Sequence, residues 1–195
     1  MKEPRLRLVV LISGAGSNLQ ALIDAIEEGT LEATIECVIS NRSQAKGLER
    51  AQKAGIPTHV LDHTLYSNRE SYDEKLQELI DEYHPHLLIL AGFMRILSPS
   101  FVQHYPQRIL NIHPSLLPKY PGLHTHEQVL ANGDEEHGCT VHFVTEDLDA
   151  GPVLQQARLQ VFPSTTPEEL KARIHLLEHK IYPQAIQSLK KHLIP

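Results

Sequence analysis

Asn111 and His113 are separated by a single residue in Asn111-Ile-His-Pro114, at the end of an apolar run that starts after Arg108. In an extended chain positions i and i+2 share a face, so the amide and the imidazole project side by side. A neutral donor next to an imidazole suits the stabilisation of an oxyanion and the movement of a proton. The same pair also suits a hydrogen-bonded core histidine beside an asparagine turn. A second group is Ser13-Gly-Ala-Gly-Ser-Asn-Leu19, between a strand-like and a helix-like segment. Glycines let a backbone approach a ligand, and a helix N-terminus offers free N–H groups to an anion. A dinucleotide fingerprint needs a small residue where Leu19 stands, and an acidic residue where Asn41-Arg42 stand. The loop therefore fits a single phosphate, or a strand-to-helix turn capped by Ser and Asn, better than NAD.

The third group is the acidic stretch Glu146-Asp-Leu-Asp149-Ala-Gly-Pro152. Asp149 can orient and charge an imidazole, or the stretch can be a solvated turn. Thirteen histidines raise the question of a metal, with pairs at His84/His86 and His124/His126, and with His137 and His142 nearby. No His-Glu-x-x-His helix or cysteine set accompanies them, so no metal is expected. There is no Gly-x-Ser-x-Gly elbow for serine hydrolysis.

These groups need elements to hold them. Arg5 to Ile12 reads as a strand buried on both faces, followed by a helix with Leu19, Leu22, Ile23 and Ile26 on one side and Gly29 at its end. Strand patterns recur at Ala33–Ser40, Thr58–Leu61, His86–Ala91 and Arg108–His113, with helical patterns at Gln44–Ala54, Arg69–Tyr83, Pro99–His104 and Thr125–Ala131. From Cys139 the texture changes: Cys139–Thr145 and Val153–Val161 are two extended runs with no helix between them. A last helix starts near Thr165 with the stripe Leu170, Ile174, Leu177 and Ile181. The pattern predicts an α/β fold: one open, mostly parallel twisted sheet, helices on both faces, and mixed edge strands toward the C-terminus.

Composition narrows the class. The 195 residues suggest roughly one domain of ~150 residues or more. A net charge of −6 argues against a nucleic-acid or anionic-membrane binder. Lys2, Arg5 and Arg7 precede an unbroken apolar run of only Leu8 to Ile12, too short for a secretory or membrane segment. Cys37 and Cys139 form no Cys-x-x-Cys motif, so a reducing, cytoplasmic setting is expected.

Read in order, Ser13-Gly-Ala-Gly-Ser-Asn-Leu-Gln20, Ala91-Gly-Phe-Met-Arg-Ile-Leu97, Asn111 to Gly122, Gly138-Cys-Thr-Val-His-Phe-Val144 and Leu148-Asp-Ala-Gly-Pro152 closely resemble the phosphoribosylglycinamide formyltransferase family of folate-dependent enzymes. The resemblance covers nearly the whole chain, through Glu178-His-Lys-Ile-Tyr-Pro183. It implies one formyltransferase domain over 1–195, its N-terminal half binding phosphate and its C-terminal half binding folate. The implied substrates are small molecules, 10-formyltetrahydrofolate and phosphoribosylglycinamide, in purine synthesis. Asn111, His113 and Asp149 correspond to the catalytic trio. Gly16, Ser17 and Asn18 correspond to the phosphate cradle, with Glu178 reaching the same ribonucleotide. Arg69, Met94, Arg95, Ile96 and Leu97, with Thr145, Glu146, Asp147, Leu148 and Asp149, correspond to the folate pocket.

The chain departs from the family pattern at Ala150, where Gly is common, and at His175, where relatives vary. It also stops soon after Lys191, so a terminal strand or tail of some relatives is expected to be missing. Methionyl-tRNA formyltransferases resemble the same core but add a C-terminal tRNA-binding domain, and formyltetrahydrofolate deformylases add an N-terminal regulatory one. Neither addition is expected here. A catalytically silent folate or nucleotide binder is the remaining alternative, although the whole trio is present.

Overall fold

The computed structural model describes residues 4–194; Lys2 lies outside the described residues. The chain folds as β1 (Leu6–Ile12), α1 (Ser17–Glu27), β2 (Ala33–Ser40), α2 (Gly47–Lys53), β3 (Thr58–Val60), α3 (Arg69–Asp81), β4 (Leu87–Leu90), α4 (Pro99–His104), β5 (Ile109–His113), α5 (Thr125–Ala131), β6 (Glu136–Phe143), β7 (Val153–Gln160), α6 (Pro167–Ser188) and α7 (Lys190–Leu193). The strands form one sheet in the order β3-β2-β1-β4-β5-β6-β7. β1 to β5 pair in parallel, and β6 runs antiparallel to both of its neighbours, β5 and β7. This is the mixed open sheet that the sequence pattern predicts.

The run Leu8–Ile12 is fully buried because helices cover both faces of its strand. Leu8, Val10 and Ile12 join the core cluster that includes α1 and α6 side chains, whereas Val9 and Leu11 join the cluster of Tyr72, Leu76, Ile80 and Phe101 from α3 and α4. The chain builds from β1 outward to β3, then returns to the other side of β1 with β4. That reversal makes the carboxyl ends of β1 and β4 a topological switch point, where open α/β sheets form their ligand crevice.

Several boundaries differ from the sequence pattern. α2 starts at Gly47, where the Gly47 N–H donates to the Gly14 carbonyl at 3.0 Å, rather than near Gln44. β6 starts at Glu136, because Gly138 lets the Ala157 carbonyl of β7 approach where a Cβ would stand. A 3-10 turn over His63–Leu65 interrupts the polar loop, capped by Asp62 accepting from Thr64 N–H. On α6 the buried stripe is Leu170, Ile174, Glu178 and Ile181; Leu177 is only partly buried. Among the described residues, no helix is long and apolar enough to cross a membrane.

Candidate active site

The parallel strands β1, β4 and β5 are adjacent, so the loops at their carboxyl ends meet along one edge. The β1–α1 loop brings Gly16 to the start of α1. Gly16 has φ 73°, a left-handed backbone, and a Cβ on it would lie 2.6 Å from Gly47 Cα. No side chain caps α1, leaving the N–H groups of its first turn without intrahelical partners. That is a fitting cradle for a phosphate.

Behind the cradle, Asn18 Nδ2 donates to Glu178 Oε2 at 3.2 Å, while the buried Asn18 Oδ1 has no partner among the described residues. Glu178 is carried there by α6, which Tyr182 fixes to the sheet by donating to the Leu90 and Leu110 carbonyls (2.8 and 3.1 Å). Burial pushes the Glu178 carboxyl up to about 7, against the lowering effect of the Asn18 hydrogen bond. The orphan amide oxygen and this carboxyl suit the hydroxyl or amide groups of a ligand whose phosphate sits on the helix end. His175 stacks on His179, with ring centroids 6.2 Å apart.

At the end of β5, His113 and Asn111 share a face as their spacing requires. The His113 ring is buried, and its Nε2–H donates to the Tyr120 carbonyl at 2.8 Å. Its Nδ1 lies 3.4 Å from Asp149 Oδ2, and both side chains are only 7% exposed. Asp149 adopts a left-handed backbone (φ 51°), and its Oδ2 also accepts from the Gly122 N–H at 2.8 Å. Two loops are therefore tied together over the imidazole.

His142 completes the cluster, and its role was not read from the sequence. It stands opposite Asn111 in the β5–β6 ladder. Its Nδ1–H donates to the Phe143 carbonyl at 3.1 Å, which leaves Nε2 as acceptor for Asn111 Nδ2 at 3.3 Å. Its Nε2 is 3.9 Å from Asp149 Oδ1. Burial above all, with His113 adding to it, holds its pKa below the usual histidine range, against the Phe143 carbonyl and Asp149. The signal for it was present in the alternation of Cys139-Thr-Val-His142, but its partner across the ladder is set only by register.

The residues expected in the folate pocket fall in two loops. In the loop after β4, Met94 and Ile96 are exposed, Leu97 is buried in the core, and the Arg95 guanidinium lies 4.4 Å over the Tyr72 ring. In the loop between β6 and β7, Leu148 is exposed, Thr145 Oγ1 donates to the Asp147 carbonyl, and Glu146 accepts from Gln103 Nε2 at 2.6 Å. Arg69 opens α3, with Nε 3.9 Å from Glu70. Met94, Ile96 and Leu148 are exposed apolar side chains of the kind on which a flat ring system can pack.

His126 Nδ1 and His137 Nε2 are 3.0 Å apart, and burial with His126 nearby pushes His137 down to about 4. His84 and His86 precede β4, at the opposite end of the strands from this site. Among the described residues, no group of three or more His, Cys, Asp or Glu side chains is placed to hold a metal ion.

This end of the strands gathers an amide, two imidazoles and a carboxylate near the N-terminus of α1, groups able to meet an oxyanion and move a proton. Residues 6–186 match the family described as formyl transferase. The chain belongs to that family. It is 57% identical over 181 residues to the phosphoribosylglycinamide formyltransferase of Escherichia coli K12, covering 93% of this chain and 85% of that protein. It is 51% identical over 187 residues to the trifunctional purine biosynthetic protein adenosine-3 of Bos taurus, covering 96% of this chain but only 18% of that longer protein. The phosphoribosylglycinamide formyltransferase structure from Coxiella burnetii superposes with a TM-score of 0.91 at 56% identity, over 94% of this chain and 86% of that one. Glycinamide ribonucleotide transformylase 1 from Symbiobacterium toebii gives 0.95 at 43% identity, over 98% and 90%.

Proposed function

We propose that this formyltransferase moves the formyl group of 10-formyltetrahydrofolate to the glycyl amine of phosphoribosylglycinamide, a step of purine synthesis. The observation that carries the reading is the buried approach of His113 Nδ1 to Asp149 Oδ2, 3.4 Å, beside Asn111 and on the same sheet edge as the anion cradle. The identity and coverage shared with the Escherichia coli enzyme support the choice of substrates.

In this reading the ribonucleotide phosphate rests on the N–H groups of Ser17 and Asn18, made approachable by Gly16, and Glu178 meets the same substrate. The folate lies against Met94 to Leu97, Arg69 and the stretch Thr145 to Asp149. The amine attacks the formyl carbon, and the carbonyl oxygen takes negative charge that Asn111 and a protonated His113 stabilise. Asp149 steadies that positive imidazole and helps carry the amine proton to folate N10 as the carbon–nitrogen bond to N10 breaks. The products are the N-formylated ribonucleotide and tetrahydrofolate, with one proton moved and none lost.

The chain acts as one domain, its N-terminal half binding phosphate and its C-terminal half binding folate, with the Asn18–Glu178 contact tying the phosphate loop to α6. Its partners are small molecules; a net charge of −6 gives nucleic acid no attraction. Two buried free cysteines fit a cytoplasmic setting. The test is tetrahydrofolate release with and without phosphoribosylglycinamide. Release only with the amine supports a transferase; release without it means a hydrolase; no release with either means a silent binder.

A further inference from the structure

The loop after β4 is short, alternates exposed and buried side chains, and lies at the switch point between β1 and β4. It is nevertheless held at both ends by buried groups outside the folate-contacting set. At its start, the Met94 N–H donates to Ser13 Oγ at 2.8 Å, and Ser13 Oγ donates in turn to Asn41 Oδ1 at 2.5 Å. Ser13 and Asn41 are 5% and 1% exposed, at the ends of β1 and β2. At its far end, the Ser98 N–H donates to Asp73 Oδ2 at 2.6 Å, with Asp73 2% exposed on α3.

Between the anchors, Arg95 is drawn over Tyr72, the neighbour of Asp73 on α3, and Leu97 is buried in the core. Met94 and Ile96 are left facing out. Burying a carboxylate is costly, and desolvation does raise the Asp73 pKa against its Ser98 hydrogen bonds and the nearby Arg95 and Arg69 charges. A carboxylate placed at such a cost to hold Ser98 has a positional task.

We propose that Asp73 at one end, and Ser13 with Asn41 at the other, are positioning residues that hold Met94 to Leu97 in the shape that receives folate. The inference rests on the folate reading of this loop. Preorganised loops bind without the cost of ordering, so releasing either anchor weakens folate binding selectively.

The test is steady-state kinetics of the full chain with each substrate varied in turn. Asp73→Ala should raise the KM for 10-formyltetrahydrofolate by about tenfold, the scale of one lost buried hydrogen bond to a charged group, and leave the KM for phosphoribosylglycinamide within about twofold. Asp73→Asn keeps an acceptor for Ser98 N–H and should recover most of the loss. A purely structural role would instead lower the melting temperature and the active fraction at constant KM. If Asp73→Ala does not fold, Asn41→Ala, at the opposite anchor, should raise the folate KM in the same selective way. Wild-type enzyme that turns over, with folate KM unmoved in the folded variants, overturns the inference. Wild-type enzyme without amine-dependent turnover overturns the functional reading instead.

Discussion

Asn111 and His142 face each other across the β5–β6 ladder with the amide nitrogen 3.3 Å from the imidazole Nε2. Because the other ring nitrogen is committed to the Phe143 carbonyl, His142 accepts from Asn111 and fixes which way the amide points. The ring is buried and biased to the neutral form, so it does this without adding a charge beside His113. His142→Ala should lower kcat by ~10-fold or more, as expected when an oxyanion donor loses its orientation. The KM for phosphoribosylglycinamide should change little. Steady-state kinetics on the folded variant checks both.

Gly151 sets the path of the loop that carries Asp149. A Cβ there would lie 1.7 Å from the Phe143 carbonyl oxygen, which no side-chain motion relieves. Gly151→Ala should cost ~1–3 kcal/mol of stability, the usual range for overpacking, and reduce kcat as Asp149 shifts. By contrast, Ala150 is exposed and lies outside the left-handed region. Ala150→Gly should change stability by less than ~1 kcal/mol and leave turnover intact. Thermal melts and kcat distinguish the neighbours.

At the start of α1, Gly16→Val would not separate the two substrates. Its Cβ would strike the Gly47 backbone in a left-handed conformation, so both helices would shift and both substrates would suffer. Asn18→Asp is cleaner, since it places a carboxylate beside the anion and against Glu178. The KM for phosphoribosylglycinamide should rise by ~10-fold or more through like-charge repulsion. The folate KM should hold, and equal loss for both would place the phosphate elsewhere.

Two buried groups give opposing pH dependences. Burial raises Glu178 from 4.5 to about 7, so its cost to stability is absent below about 4.5 and grows as pH climbs to about 7. His137 is lowered from 6.5 to about 4, so its stability is present above 6.5 and fades as pH falls toward 4. Glu178→Gln removes the first slope alone. That variant should melt higher than wild type at pH 8, and its melting temperature should climb more steeply from pH 4.5 to 6.5. A parallel pair of curves would show that Glu178 titrates normally.

Much of the fold was legible because local chemistry and tertiary context agree. Leu8 to Ile12 reads as a doubly covered strand and is one, and the helix expected from near Thr165 starts at Pro167, where Thr166 and Glu169 form a capping box. Asn111 and His113 were readable because period-2 geometry places them without reference to anything distant. His142 was not, since its partner lies 31 residues away and is chosen by strand register. Glu178 sits in the apolar stripe of α6, where periodicity alone picks Leu177. Its burial makes sense only beside Asn18, 160 residues earlier. The anchors Ser13, Asn41 and Asp73 were equally silent, because a hydrogen bond to a remote backbone N–H leaves no spacing signature.

In the proposed mechanism His113 and Asp149 act as one unit in formyl transfer. The most direct measurement is kcat for His113→Ala, Asp149→Asn and the double variant, each confirmed folded. Either single change should reduce turnover by ~10²-fold or more, the scale of lost acid–base and oxyanion catalysis. The double variant should be scarcely slower than either single, since groups acting together are non-additive. The KM for phosphoribosylglycinamide should persist, because its phosphate contacts lie at Ser17 and Asn18. Near-normal turnover in a folded Asp149→Asn variant would contradict the mechanism.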